Sequence, residues 1–151
     1  MANDRPRTPA NGPRAQLTPD PALVSRPARG PIVVVDGDRV ECSRTCRVLG
    51  DVGFEMISAG DGPSALRRVF ATSESPSLLL CAIELPGMSG IELAARMSAA
   101  RPGIRVILTS PDAATVERAR QHAPLVRAVL LKPYTTDALR AAAVEALGPE
   151  A

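Results

Sequence analysis

Tryptophan is absent from this 151-residue chain, and two phenylalanines and one tyrosine bring the aromatic content to only 2%. A core must therefore be filled by Val, Leu, Ile and Ala, which suits a buried parallel sheet covered by Ala-rich helices. Charge of one sign is also scarce. The formal net charge is +2, and Arg5, Arg7, Arg14, Arg26 and Arg29 place much of the basic excess within the first thirty residues. Without a clustered basic face, stacking aromatics or a recognition helix, no nucleic-acid partner is expected. Histidine occurs once, at His122, and cannot complete a Cys/His zinc set at any usual spacing. The three cysteines, Cys42, Cys46 and Cys81, are odd in number and lack a short-loop framework, so they read as reduced core thiols. No apolar run approaches membrane-spanning length, and the first residues lack the apolar segment of a secretory leader. A cytoplasmic protein with no membrane partner is expected.

What is present divides the chain in two. Residues 1–30 carry Pro6, Pro9, Pro13, Pro19, Pro21 and Pro27 among Arg, Ala and Asn with neither hydrophobic period, the composition of a disordered tail. With 45% hydrophobic residues overall, residues 31–148 suffice for one ordinary domain.

At residue 31 the pattern changes. Ile32-Val33-Val34-Val35 is a continuous apolar run ending at Asp36-Gly37-Asp38, as expected of a strand buried on both faces. A helix follows over Arg39 to Asp51, with Cys42, Cys46 and Leu49 on one stripe and Gly53 closing it before a strand over Phe54 to Ser58. Asp61-Gly62-Pro63 opens the next helix, whose stripe is Leu66, Val69 and Phe70. A third strand, Leu78 to Ile83, runs into the loop Leu85-Pro86-Gly87-Met88-Ser89-Gly90. Ser89 and Glu92 then have capping-box spacing for a helix through Leu93, Ala94 and Met97. Strand four is Arg105 to Thr109, followed by a modest helix through Val116 and Ala119. Strand five, Ala128 to Leu131, stops at Lys132-Pro133, and a last helix over Thr136 to Leu147 presents Leu139, Ala143 and Ala146 or Leu147.

Five strands alternating with five helices predict an α/β fold: an open, doubly wound parallel sheet in the order 2-1-3-4-5. In such sheets the ligand crevice lies beyond the carboxyl ends of the strands. The residues there are Asp36, Ala82, Thr109 and Lys132. A carboxylate, a hydroxyl and an ammonium converging on one crevice form a plausible phosphoryl and metal site.

Val33-Val34-Val35-Asp36, the Leu85 to Gly90 loop, Val106-Ile107-Leu108-Thr109-Ser110 and Leu131-Lys132-Pro133-Tyr134 together resemble the receiver domain of two-component response regulators, over roughly residues 31–147. The resemblance implies a flavodoxin-like receiver fold and an aspartate that takes a phosphoryl group from a histidine kinase with help from Mg2+. It also implies Thr and Lys groups on the phosphoryl oxygens, and a Lys-Pro bond that is commonly cis. The match has three departures. The phosphoacceptor position, four residues before Pro86, is Ala82, and a methyl group cannot attack phosphorus. The second acidic position after strand one is Gly37, leaving Asp36, with Asp38 or Glu84 as substitute ligands, so weak Mg2+ binding or none is expected. The aromatic switch position three residues before Lys132 is Val129.

These departures imply a pseudo-receiver without enzymatic activity, in which Lys132 pairs with Asp36 and Thr109 remains as a relict of the pocket. Output would pass to a protein partner, a histidine kinase or a second copy, through the fourth and fifth helices and strand five, the face that the family uses. An active receiver altered at position 82 is the alternative, and Gly37 and Val129 weigh against it. A small α/β nucleotide-binding enzyme would need a Gly-rich phosphate loop or a nucleophile with a base, and Asp36-Gly37-Asp38 supplies neither.

Overall fold

The computed structural model describes residues 30–122 and 125–148. The expected N-terminal tail lies outside the described residues, except Gly30, whose carbonyl accepts a hydrogen bond from Ser77 Oγ at 2.8 Å.

Five strands, β1 (Ile32–Val35), β2 (Met56–Ala59), β3 (Leu78–Ala82), β4 (Arg105–Ser110) and β5 (Val126–Leu131), form one parallel sheet in the order β2-β1-β3-β4-β5. They alternate with α1 (Arg39–Gly50), α2 (Gly62–Phe70), α3 (Gly90–Ala100), α4 (Ala113–Ala119) and α5 (Thr136–Leu147). The period-2 alternation of strand side chains sorts the apolar residues onto two faces. Val33, Val35, Leu79, Cys81, Val106 and Leu108 pack with Ala65, Val69, Leu93, Met97 and Val116 of α2, α3 and α4. Ile32, Val34, Leu78, Leu80 and Ile107 pack with Leu49 of α1 and Leu139, Ala143 and Leu147 of α5. Both faces of the sheet are therefore covered, as continuous apolar strands require. Each large aliphatic side chain so buried contributes roughly 1.5–3 kcal/mol relative to exposure.

Local signals start each helix. Asp38, Asp61, Ser89, Asp112 and Thr135 occupy the N-cap positions of α1 to α5, each with a side-chain oxygen accepting from a first-turn N–H. Gly53 follows α1 at φ +107°, a conformation that favours glycine. At Gly90 the requirement is closeness: an added Cβ would lie 2.2 Å from the Ala82 carbonyl oxygen. The missing side chain lets the N-terminus of α3 sit on the end of β3, where Gly90 N donates to Ile83 O at 2.8 Å.

The structure moves several expected boundaries. Strand two is Met56–Ala59 instead of Phe54 to Ser58, because pairing with β1 aligns Ile32 with Met56 and Val35 with Ala59. Strand five begins two residues earlier than expected, at Val126, where a register shift against Val106 and Ile107 accommodates the extra length. Strand three ends at Ala82, although Ile83 N still donates to Thr109 O at 2.8 Å. The first two helices stop slightly early, at Gly50 and Phe70. Phe70 does not join the core: it is 57% exposed, and the Arg101 guanidinium stands 5.6 Å from its ring centroid. Ala65 and Val69 carry the buried stripe of α2 in its place. Of the three cysteines only Cys81 is a core residue; Cys42 and Cys46 are half-buried.

Candidate functional site

The carboxyl ends of β1, β3, β4 and β5 meet in one place because backbone hydrogen bonds align them. Ala82 and Thr109 are partners in the β3–β4 register, and Lys132 N donates to Ser110 O at 2.8 Å. At the centre of this edge Lys132 Nζ donates to Asp36 Oδ2 at 2.8 Å. The side chains of this ion pair are only 18% and 10% exposed, respectively. Asp36 Oδ1 accepts from the Asp38 backbone N–H at 2.9 Å, so both carboxylate oxygens are engaged. Burial works against the charge on Lys132, and the hydrogen bond and Coulomb attraction of Asp36 outweigh it, holding the ammonium pKa above its ordinary value.

The two candidate substitute ligands have other employment. Asp38 Oδ1 accepts from Val40 N at 3.0 Å and Glu41 N at 3.2 Å, capping α1. Glu84 Oε2 accepts from Ser110 Oγ at 2.8 Å, and Ser110 Oγ in turn accepts from Asp112 N at 3.1 Å. Ser110 is wholly buried and links the β3–α3 loop to the start of α4. Sequence reasoning treated it only as part of the Thr109-Ser110 strand end.

Thr109 is 1% exposed, and its Oγ1 has no hydrogen-bond partner among the described residues. Beside it stands the methyl group of Ala82, 3% exposed. The edge therefore sets a buried hydroxyl, without a partner among the described residues, beside an apolar methyl group. Val129 is buried and packs within the core on the α2-α3-α4 face.

The loop after β5 is tied down a second time. The Lys132-Pro133 peptide bond is cis. Tyr134, 7% exposed, shares a hydrogen bond with Thr45 Oγ1 at 3.0 Å, while Arg44 Nη2 donates to the Tyr134 carbonyl at 3.1 Å. The Arg44 guanidinium also lies 5.2 Å from the Tyr134 ring centroid, within cation–π range. Burial is the main influence raising the Tyr134 phenol pKa above its ordinary value. Thr45 and Arg44 were not among the sequence candidates, since nothing local marks a partner some 90 positions away.

An oxygen-seeking divalent cation would find few donors. Asp36 is committed to Lys132 and Asp38 N, Gly37 has no side chain, and no group of three or more His, Cys, Asp or Glu suited to a metal ion exists among the described residues. Magnesium demands near-octahedral oxygen coordination, and these residues do not fit it. Likewise, among the described residues no helix is long and apolar enough to cross a membrane.

Comparison with known proteins agrees with this architecture. A family model described as "Response regulator receiver domain" matches residues 32–144. The chain is 39% identical over 80 residues to protein-glutamate methylesterase/protein-glutamine glutaminase 2 of Caulobacter vibrioides, a match covering 52% of this chain and 22% of that protein. It is 30% identical over 95 residues to sporulation initiation phosphotransferase F of Bacillus subtilis, covering 62% of this chain and 73% of that one. The chain thus spans less than a quarter of the first relative and about three quarters of the second. A CheY-like response regulator receiver domain protein from Methanospirillum hungatei superposes with a TM-score of 0.69 at 26% identity, covering 79% of this chain and 94% of that one. Receiver domains are signalling modules that interact with histidine kinases and other proteins, and they bind Mg2+ at the phosphorylation site. On its fold, its strand-end residues and the match across most of its length, this chain belongs to the response regulator receiver domain family of two-component signalling.

Proposed function

We propose that residues 31–148 form a phosphorylation-independent receiver module that acts in the cytoplasm by binding another protein and catalyses no reaction. The observation that carries this reading is the end of β3: Ala82 presents a methyl group beside the unpartnered Thr109 hydroxyl, while Lys132 is held by Asp36 at 2.8 Å. An acceptor carboxylate is missing, and the ammonium that would meet a phosphoryl group already has a partner. In this reading Asp36, Thr109 and Lys132 are remnants of a phosphoryl pocket. Mg2+ binding is weak or lost, since Asp38 and Glu84 are occupied as a helix cap and a hydrogen-bond acceptor.

The proposed output surface is α4-β5-α5, facing a histidine kinase or a second copy of the chain. Leu131 at the end of β5 is 46% exposed, an apolar contact on that surface. With Val129 in place of an aromatic switch, this surface has one constitutive form.

Intact-mass measurement after incubation with Mg2+ and acetyl phosphate tests the proposal on the native chain, Ala82→Asp and the double variant Ala82→Asp/Gly37→Asp. A Cβ at Gly37 would make ordinary contacts, 3.6 Å from Pro86 Cδ, so a carboxylate is sterically admitted there. The expected result is no phosphoryl group on the native chain and one on the double variant. Phosphorylation of the native chain overturns the proposal. Full phosphorylation of Ala82→Asp alone would favour the other reading, an active receiver altered at a single position.

A further inference from the structure

Cys42 and Cys46 stand one turn apart on α1, where side chains four residues apart share a face with Cβ atoms roughly 5–6 Å from each other. Both are free and half-buried, packed against the edge of the core on the α1-α5 face. Cys42 Sγ donates to the Val34 carbonyl oxygen at 3.9 Å. Cys42 lies near enough to Asp36 to feel its charge, but the Asp36 carboxylate oxygens are taken up by Lys132 Nζ and Asp38 N. Cys81 contrasts with the pair: it is fully buried, donates to Gly90 O at 3.6 Å, and burial pushes its thiol pKa up.

The donor count restricts what such a pair can take. No third His, Cys, Asp or Glu joins it in a metal-competent group among the described residues, so an ion that requires four protein ligands has no set here. A soft centre satisfied by two sulfurs does. Thiols one turn apart on a helix are close enough for a single bent S–As–S unit to join them.

We infer that Cys42 and Cys46 form a two-thiol site for trivalent arsenicals, closing a chelate ring along one turn of α1. The reaction is condensation without redox change: an aryl arsenoxide, ArAs=O, plus two S–H groups gives ArAs(S)2 and one water. Two As–S bonds form, the As=O bond breaks, and both thiol protons leave with its oxygen.

Phenylarsine oxide is the probe. The folded native chain, held with a monothiol in excess, is expected to retain one phenylarsenic group by intact mass and to release it to a dithiol such as 2,3-dimercaptopropanol. Because the second bond is intramolecular, Cys42→Ser and Cys46→Ser should each weaken retention at least about a hundredfold, whereas Cys81→Ser should retain the adduct. Cys42→Ala and Cys46→Ala, with helicity checked by circular dichroism, repeat the measurement in the event that a serine variant unfolds. No adduct on the native chain, an adduct that survives loss of Cys46, or one that depends on Cys81 would each overturn the inference.

Discussion

Replacing Lys132 by methionine keeps most of the side-chain volume and strips Asp36 of its counter-charge. The two side chains are 18% and 10% exposed, which places the pair between two limits. Removing one partner of a fully buried pair costs about 3–5 kcal/mol, while exposed pairs contribute about 0–1 kcal/mol. A cost of about 2–3 kcal/mol follows for Lys132→Met, and at about 4 °C per kcal/mol for a domain of this size, a fall in Tm of about 8–12 °C. The reverse deletion, Asp36→Ala, should cost less, about 1–2 kcal/mol, because a long lysine stem can carry its ammonium out to water. Asp36 has no such escape: its short side chain is fixed at a strand end, and its Oδ1 is bound by Asp38 N. The double variant Asp36→Ala/Lys132→Met removes both charges and should be more stable than Lys132→Met alone. Urea unfolding of all four proteins, followed by far-UV circular dichroism, completes the cycle. If the two single losses simply add in the double variant, the ion pair contributes nothing as a pair and the reasoning fails.

Thr109→Val swaps a buried, partnerless hydroxyl for a methyl group of similar size, so it should leave stability unchanged or raise it by about 1 kcal/mol; a loss of that size in urea unfolding would mean that the hydroxyl is satisfied in solution. The Lys132 and Tyr134 pKa values are both raised above their ordinary values of 10.5 and 10.0. The sign follows from linkage: the folded state holds these protons more tightly, so their contribution is complete below the unfolded values and is lost as pH rises through the elevated folded ones. Stability should therefore fall above about pH 10, and less steeply in Tyr134→Phe; parallel curves for the two proteins would exclude the phenol as a source.

Much of the fold is legible in the sequence because each signal is local. Ile32 to Val35 reads as a strand buried on both faces, and it is; Leu78 to Ile83 reads as a strand, and all but its last residue forms one. Asp38, Asp61, Ser89 and Asp112 announce their helices through caps that need only the next three residues. That Asp36, Ala82, Thr109 and Lys132 stand together at the strand ends was also readable, since topology alone sends those ends to one edge.

Other features depend on which distant residues come to rest side by side. Met56 instead of Phe54 begins β2 because the partner strand sets the register. Phe70 lies outside the core because the stripe that faces the sheet runs through Ala65 and Val69. The Ser110 to Glu84 hydrogen bond spans 26 positions and the Thr45 to Tyr134 bond spans 89. Neither leaves a local trace, because each needs a loop residue brought against a distant helix or strand end by the same sheet. The sequence by itself determined the sheet, its order and which residues stand at the strand ends. Only the tertiary structure decided how the remaining polar groups satisfy one another: side-chain period selects a face, but contact at hydrogen-bond range depends on register and loop path.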